Sequence, residues 1–312
     1  MSKEYAKDSL GERMKSYEAL STSRQLMPNC PVYARLDGRA FHTLCKGLKK
    51  PYSIAFIDTM QDVCKYLVDK TGAILGYVQS DEISLGWVDY SKAPFEGRIQ
   101  KLESVLASMA SAKFVQYVES SKSGGLHMND GINKLWDRCN MYLPTFDCRV
   151  FNLPSLAELA NAFLWRENDA IKNSINGMAQ YFFSHKALQG KCGEEMIAMM
   201  KEKGYDFYRD TEPSFMRGTF YHKELYDKEL TKEDVEKIPE KGRENLQHIV
   251  ETDSSGKVIR EGWFTIRSHV AEMKLPYRLT DTVDVEKVLF YRITPECNKD
   301  NPTFRLEIKE KK

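Results

Sequence analysis

The sequence predicts an α+β fold in which helices cover one face of a mainly antiparallel sheet. Two observations predict it. Short apolar runs with the length of strands are separated by longer segments with a helical apolar stripe. Across residues 32–153 their order is strand, helix, strand, strand, helix, strand. That order is typical of the split βαβ arrangement, also called ferredoxin-like.

The first half of the chain supplies these elements in order. Residues 32–36 form a mostly apolar run after Pro31, which predicts a buried strand that ends at Asp37. Ser53 can cap a helix that continues to about residue 70, and Gly72 can end it.

Two strands and a long helix follow. Residues 74–78 and 83–88 are the second and third strands, and residues 79–82 make a tight connection between them. Residues 98–118 carry a strong apolar stripe, which predicts an amphipathic helix. Residues 120–131 are polar and rich in glycine, so we expect little regular structure there.

The remaining predicted elements lead into a segment of different composition. We expect a strand at 146–153, helices at 155–185 and 193–203, and a strand at 215–221. Residues 223–241 then alternate in charge. We therefore divide the chain into a core of residues 1–230 and an extension of residues 231–312 with unknown role. Within the extension, residues 263–266 and 288–293 resemble strands.

Composition excludes several classes of protein. The chain is 42% hydrophobic and 29% charged, as in ordinary soluble domains, and its apolar runs are too short to span a bilayer. The first twenty residues mix charged and apolar side chains, unlike a secretory signal, so we expect a cytoplasmic protein. The seven cysteines fit no zinc spacing. A net charge of +1 neither predicts nor excludes nucleic-acid binding.

Two acidic sites carry the functional prediction. Asp37 ends the first strand, and Asp81 and Glu82 lie in the connection between the second and third strands. In a split βαβ sheet these strands can be neighbours, which would bring the carboxylates together. Carboxylates are hard oxygen ligands suited to Mg²⁺, and Gly38 beside them gives the backbone room to approach a phosphate or metal. The residues alone leave open an ordinary Asp-Gly turn.

The motifs around these carboxylates resemble those of the tRNA-His guanylyltransferase family. The first motif is residues 35–42, Arg-Leu-Asp-Gly-Arg-Ala-Phe-His, and the second is residues 79–82, Gln-Ser-Asp-Glu. The resemblance continues through the helix that begins near Arg98, through residues 146–150, and through residues 165–169 and 217–218. It spans about residues 3–222.

The resemblance implies a polymerase-palm-like fold and a set of site residues. Asp37, the Gly38 carbonyl and Asp81 would hold two Mg²⁺ ions, and Glu82 would support them as a third catalytic carboxylate. The predicted nucleotide-binding residues are Asp37, Gly38, Arg39, Ala40, Phe41, His42, Lys50, Ser80 and Asp81, with Arg98, Lys101 and Ser108 on the triphosphate. Lys49 is an equal candidate for the role of Lys50.

The implied activity is addition of nucleotides to the 5′ end of tRNA in the 3′-to-5′ direction, with ATP, GTP and other nucleoside triphosphates as substrates. A monophosphorylated 5′ end is first adenylylated by ATP, and the 3′-hydroxyl of the incoming nucleotide then displaces AMP. The implied partners are tRNA and nucleotides, with no membrane. The expected assembly is a homo-oligomer, and tetramers are usual for the family.

One segment separates two branches of the family. Eukaryotic members carry a histidine where this chain has Ile171, within residues 171–177. The segment looks like that of guanylyltransferase-like proteins, which repair truncated tRNA 5′ ends under the direction of a template. In the same helix Arg166, Asp169 and Asn173 fall on one stripe, so they are candidate RNA contacts or ties to buried backbone groups.

Three alternatives stay open. The first is a dedicated tRNA-His guanylyltransferase that adds G at position −1. The second is a palm-fold nucleotide cyclase, which would use the same carboxylates without RNA. The third is a non-catalytic RNA-binding module, against which the intact Asp37, Asp81 and Glu82 argue.

Overall fold

A seven-stranded antiparallel sheet forms the centre of the protein. The structure is a computed structural model that describes residues 9–88, 93–126, 131–243, 246–273, 293–294 and 305–306. The strand order is β4-β1-β3-β2-β5-β7-β6. The strands are β1 (Val32–Gly38), β2 (Leu75–Gln79), β3 (Glu82–Trp87), β4 (Phe146–Asn152), β5 (Thr219–Leu230), β6 (Gln247–Thr252) and β7 (Val258–Glu272).

Helices of widely different length connect these strands. Two short strands, β8 (Ile293–Thr294) and β9 (Arg305–Leu306), pair separately. The helices are α1 (Ser9–Thr22), α2 (Phe41–Leu44), α3 (Ile54–Thr71), α4 (Ile99–Ser123), α5 (Ile132–Tyr142), α6 (Leu156–Phe182), α7 (His185–Leu188), α8 (Gly193–Glu202), α9 (Phe207–Asp210), α10 (Pro213–Arg217), α11 (Lys232–Lys237) and α12 (Glu240–Arg243). None of the helices in these described ranges is both long and apolar enough to cross a membrane.

The predicted fold class is confirmed. The first four strands have the order β4-β1-β3-β2, and each neighbouring pair is antiparallel. Together with α3 and α4 they form the split βαβ arrangement that the sequence predicted. The six predicted elements across residues 32–153 are all present, with ends within a few residues of the prediction except at the end of α4, which continues to Ser123.

The prediction that helices cover one face of the sheet was wrong. Alternate residues of β1 enter different cores, because side chains on a strand point to opposite faces. Val32, Ala34 and Leu36 pack in the cluster that contains α3 and α4. Tyr33 packs instead in a second cluster with α6. Both faces of the central strands are therefore covered, which explains why β1 is apolar on both sides.

Two local predictions also need correction. Residues 120–123, predicted to have little regular structure, complete α4. No element was predicted for residues 132–142, which form α5, whose apolar face is buried with Ile132, Leu135 and Cys139. Residues 215–221 were predicted as one strand. The structure ends α10 at Arg217 and begins β5 only at Thr219. Gly218 lies between them with φ of +77°, a conformation that separates the helix from the strand.

The sheet continues beyond the predicted core. β5 pairs with β2 through residues 219–222 and with β7 through residues 221–230. β6 then extends the sheet as its edge strand. The division at residue 230 stays a prediction. Of the predicted strands in the extension, residues 263–266 lie within β7, whereas residues 288–292 lie outside the described residues.

A separate helical cluster lies beside the sheet. The second half of α6 packs with α8, α9 and smaller elements around a core of its own, which includes Ile175, Met178 and Met200. Tyr52 stacks on Phe215 of α10, with ring centroids 4.8 Å apart. This stack connects the cluster to the loop before α3, next to the strand ends that carry the predicted site.

Candidate active site

Asp37 and Asp81 are brought together by the pairing of β1 with β3. Asp37 lies opposite Glu82 in the antiparallel register. The next hydrogen bond along runs from the Gly38 N–H to the Asp81 carbonyl, with an N···O distance of 3.0 Å. The end of β1 and the β2–β3 turn are therefore adjacent, as the sequence predicted. Two carboxylates from distant parts of the chain share one edge of the sheet.

The turn that presents Asp81 has an unusual backbone. Gln79 pairs with Glu82, so Ser80 and Asp81 form a two-residue hairpin turn. Ser80 has φ of +51°, and Ala40 after the first motif has φ of +56°. Left-handed backbone costs a non-glycine residue roughly 1–2 kcal/mol. Residues held in such conformations cluster at functional sites, and these two flank the carboxylates.

Burial and like charge act together on Asp81. Desolvation raises the pKa of the Asp81 carboxyl, and the charge of Asp37 raises it further. The Ser80 hydroxyl opposes this by donating a hydrogen bond, which lowers the pKa. Among the described residues, no lysine or arginine forms an ion pair with Asp37 or Asp81. A cation from outside the chain would relieve the repulsion.

Glu82 has a different environment. The Arg166 Nε donates a short hydrogen bond to one carboxylate oxygen of Glu82, and the Arg35 Nε lies 3.8 Å from the other. The Glu82 and Arg166 side chains are only 12% and 13% exposed. Burial raises the pKa of Glu82, while Arg166 and Arg35 lower it. Glu82 is thus neutralised by the protein itself and ties α6 to the sheet.

The Trp165 ring packs against this ion-pair network. The guanidinium carbons of Arg35 and Arg166 lie 5.6 and 4.5 Å from the centroid of a Trp165 ring. Both distances are within the range of a cation–π interaction. The Trp165 ring therefore contacts both arginines that pair with Glu82.

Gly38 is required by packing. A Cβ atom at this position would lie 2.6 Å from the Phe41 ring, which real Cβ atoms do not approach. The Phe41 ring is buried and contacts Phe114 and Phe146 edge to face. Space for a phosphate or metal was the predicted reason for the glycine. The structure shows that close contact with Phe41 is itself sufficient.

An open cleft of 620 Å³ lies over the carboxylates. Asp37, Asp81 and Glu82 line one side of it, and residues 166–181 of α6 line the other. Lys50 and Phe215 complete its walls. The volume is within the range of small-molecule binding sites.

A second cleft of 290 Å³ shares Lys50, Ser80 and Asp81 with the first. Its walls are more apolar and include the buried Phe41 and the partly exposed Phe56, and the ring of Phe56 suits a nucleobase. His42 of the first motif also lines it, as does Lys49. Lys50 lines both clefts, so of the two candidate lysines it is the one that shares the first cleft with Asp37 and Asp81.

The structure does not bring Arg98 and Lys101 to these clefts within one chain. Arg98 forms a β-bridge with Gln25. Two residues further along the chain, the Met27 N–H donates to the Asn152 side chain, and Asn152 pairs with Val32. Arg98 therefore lies near the Val32 end of β1. Val32 and Gly38 are the two ends of β1, which span roughly 20 Å.

Ser108 lies between the two ends, because Ser111 of the same helix accepts a hydrogen bond from the Phe146 N–H near Gly38. The Ser108 hydroxyl donates to its own helix. Neither cleft includes Arg39, although its backbone N–H donates to the Thr145 carbonyl beside the first motif. The triphosphate role of Arg98, Lys101 and Ser108 stays a prediction.

The predicted stripe of α6 makes side-chain contacts within the protein, and its role as an RNA contact stays a prediction. Arg166 binds Glu82 and also pairs with Asp169 at 3.2 Å. Asn173 donates to Asp169 at 3.3 Å and lines the cleft. Sequence reasoning missed Arg35, Gln180, Tyr181 and Phe215. The strand period of two places Arg35 on the face of Asp37, so its role could have been predicted. The others depend on how α10 packs against α6.

A metal ion at this site would need further ligands from the substrate. Within the described ranges no group of three or more histidine, cysteine or acidic side chains is arranged to hold a metal. The six cysteines there are free thiols, and burial raises the pKa of Cys45 to about 12. Two carboxylates beside a backbone carbonyl are instead typical of Mg²⁺ sites completed by phosphates and water.

Comparisons with known proteins give the class of the protein. The family profile described as tRNAHis guanylyltransferase matches residues 11–154. A solved bacterial tRNA(His) guanylyltransferase-like protein in complex with ATP is 38% identical, with 69% of this chain and 88% of that chain covered and a TM-score of 0.58. A second, in complex with GTP, is 28% identical, with 91% and 100% covered and a TM-score of 0.57.

Curated relatives agree with these structures. The tRNA(His) guanylyltransferase of Schizosaccharomyces pombe is 28% identical over 53% of this chain and 57% of its own length. The palm-like fold and the sequence similarity define the protein as a nucleotidyltransferase. The chain belongs to the tRNA(His) guanylyltransferase family. Its first two motifs, with Asp37 and Asp81, lie within the matched residues.

Proposed function

We propose that this protein adds nucleotides to the 5′ end of tRNA in the 3′-to-5′ direction, under the direction of a template base. The observation that carries the proposal is the convergence of Asp37 and Asp81 on one cleft beside Lys50. The ATP and GTP complexes of the bacterial relatives support nucleoside triphosphates as substrates.

The donors present fit magnesium. Asp37 and Asp81 lie together in a partly desolvated site where like charge raises the pKa of Asp81, and no described cationic side chain pairs with them. Hard oxygen donors of this kind prefer Mg²⁺. Asp37, Asp81 and the Gly38 carbonyl would hold two ions. When bound, the ions lower the pKa of an attacking hydroxyl and stabilise the leaving oxygen.

The remaining residues bind and orient the substrates. Lys50 can neutralise phosphate charge in either cleft, because it lines both. Phe56, which is only partly buried, offers ring surface to a base. The proposed chemistry has two steps. The 5′-monophosphate attacks the α-phosphorus of ATP and releases pyrophosphate, and the 3′-hydroxyl of the incoming nucleotide then displaces AMP.

Template direction is supported by the segment around Ile171. Ile171 is buried in the helical cluster with Ile175 and Met178. The Ile171 side chain packs in the hydrophobic core, so this position has no imidazole that could read an RNA base. Base pairing with the opposite strand would then supply the discrimination, which requires no base-specific pocket.

Incubation with labelled nucleoside triphosphates and a tRNA that lacks its first nucleotide tests the proposal. We expect the wild-type protein to extend the RNA by one labelled nucleotide in the presence of Mg²⁺, and Asp81→Asn to give no product. A cyclic or linear dinucleotide formed without RNA would identify a cyclase instead. Extension by Asp81→Asn at the wild-type rate would remove the carboxylates from the mechanism.

A further inference from the structure

The cleft continues along α6 well beyond the carboxylates. Arg166 contacts Glu82 at one end of the lining segment, and Tyr181 is at the other. With a rise of about 1.5 Å per residue, this part of α6 spans roughly 22 Å. Stacked nucleotides of one strand are separated by about 3.4 Å, so the wall has room for several nucleotides. A single nucleoside triphosphate would leave the far end unused.

The far end is polar but carries little charge. Asn173, Gln180 and Tyr181 line it, and Lys50 and Arg166 are the cationic residues of the whole described cleft. Arg166 is already paired with Glu82 and Asp169. A wall of amides and an aromatic ring is suited to bases and ribose hydroxyls rather than to the phosphate backbone.

Tyr181 has the properties of a stacking platform. Its side chain is 56% exposed, although it is large and partly apolar. Its ring is supported from the side by Phe182, with centroids 5.3 Å apart, and Phe182 in turn contacts Tyr205 at 5.0 Å. A supported aromatic ring that faces an open cleft can stack on a base without reorganising first.

Gly177 lines the middle of the cleft. A Cβ atom there would lie 3.6 Å from the Phe215 ring, which is ordinary van der Waals contact. A longer side chain at Gly177 would enter the gap between α6 and α10. Ser174 fixes that gap, because its hydroxyl donates to the Met216 carbonyl at 2.8 Å.

We propose that the second half of α6 binds the terminal nucleotides of the RNA substrate beyond the reacting end. Tyr181 stacks on a base, and Asn173 and Gln180 contact base edges or 2′-hydroxyls. This inference rests on the proposed function, because it takes RNA as the substrate. It adds the place where the strand lies and the residue that binds a base.

Equilibrium binding of a fluorescent, 5′-truncated tRNA tests it without any nucleotide present. We expect Tyr181→Ala to weaken binding by about 5- to 150-fold, as loss of one stacked base predicts, and Tyr181→Phe to bind as wild type. Tyr208→Ala is the matched control, since Tyr208 is 58% exposed on α9 and lines neither cleft. Gly177→Leu should weaken RNA binding by blocking the gap.

Two readouts separate the possible failures. At saturating RNA, we expect the KM for GTP of Tyr181→Ala to equal that of the wild type. Wild-type RNA affinity in Tyr181→Ala, or an equal loss in Tyr181→Phe, would overturn the stacking role. A wild-type protein that binds the RNA but adds no nucleotide would contradict the proposed function and leave the binding result standing.

Discussion

Asp37 and Glu82 are opposite each other in the β1–β3 ladder, but within the described part of the chain only Glu82 of these two is paired with arginines. The two carboxylates therefore have different tasks. Glu82 fixes α6 and the sheet in one arrangement. In the proposed mechanism, Asp37 and the adjacent Asp81 would bind a cation that arrives with the substrate.

Removal of Arg166 should destabilise the fold. Arg166→Ala leaves the mostly buried Glu82 with Arg35 alone, so we expect a loss of about 1.5–3 kcal/mol in the free energy of unfolding. Urea denaturation measures it. Arg209→Ala breaks an ion pair on the surface and should have no measurable effect. Equal stability of Arg166→Ala and the wild type would show that the network does not hold α6.

Asp81→Asn should stabilise the protein without magnesium and abolish its response to magnesium. The folded-state pKa of Asp81 is raised, so the contribution of this carboxyl to stability is present at low pH and is lost as pH rises through that pKa. At neutral pH the charged form is unfavourable until a cation binds. Thermal unfolding with and without Mg²⁺ measures both effects.

The wild-type Tm should rise with Mg²⁺, and the Tm of Asp81→Asn should not. We also expect activity to fall with decreasing pH at a higher pH than an ordinary aspartate would give, because protons compete for Asp81. An identical increase in Tm for both proteins would place the magnesium elsewhere.

Lys50→Ala should raise the KM for all four nucleoside triphosphates by similar factors. Loss of one charge-assisted contact costs about 1.5–3 kcal/mol, which corresponds to roughly 10- to 150-fold. Phosphate contacts carry no base identity, so the effect should not depend on the base. Lys172→Ala is the control, since Lys172 is exposed on α6 outside both clefts. A loss confined to GTP would show that Lys50 reads the base.

Gly38→Ala should reduce both stability and activity. The new Cβ would meet the buried Phe41 ring at 2.6 Å, and such overpacking costs about 1–3 kcal/mol. The strain would also displace the residue next to Asp37. Gly193→Ala is the control, because its Cβ would lie 3.8 Å from Ile175. Wild-type stability of Gly38→Ala, measured by urea denaturation, would show that the loop gives way freely.

The sequence predicted the central sheet well because its elements are locally encoded. Apolar strand runs, the Ser53 cap and Gly72 mark boundaries that depend on neighbouring residues alone. The adjacency of Asp37 and Asp81 followed from the order of these elements. The second covered face was missed, although Tyr33 and Tyr77 on alternate positions indicated it.

Other features depend on packing between distant elements. The pairing of Arg166 with Glu82 joins residues 84 apart, and no local pattern distinguishes it from an exposed helical charge. The separation of Arg98 from the carboxylates depends on where α4 crosses the sheet.

The most direct test of the proposed function varies the template base. A 5′-truncated tRNA is prepared with C or with A opposite the position to be filled, and each is incubated with all four nucleoside triphosphates and Mg²⁺. We predict that the incorporated nucleotide changes from G to U when the opposite base changes from C to A. Efficient addition of G opposite A, with no response to the template, would contradict the proposal and indicate a dedicated tRNA-His guanylyltransferase.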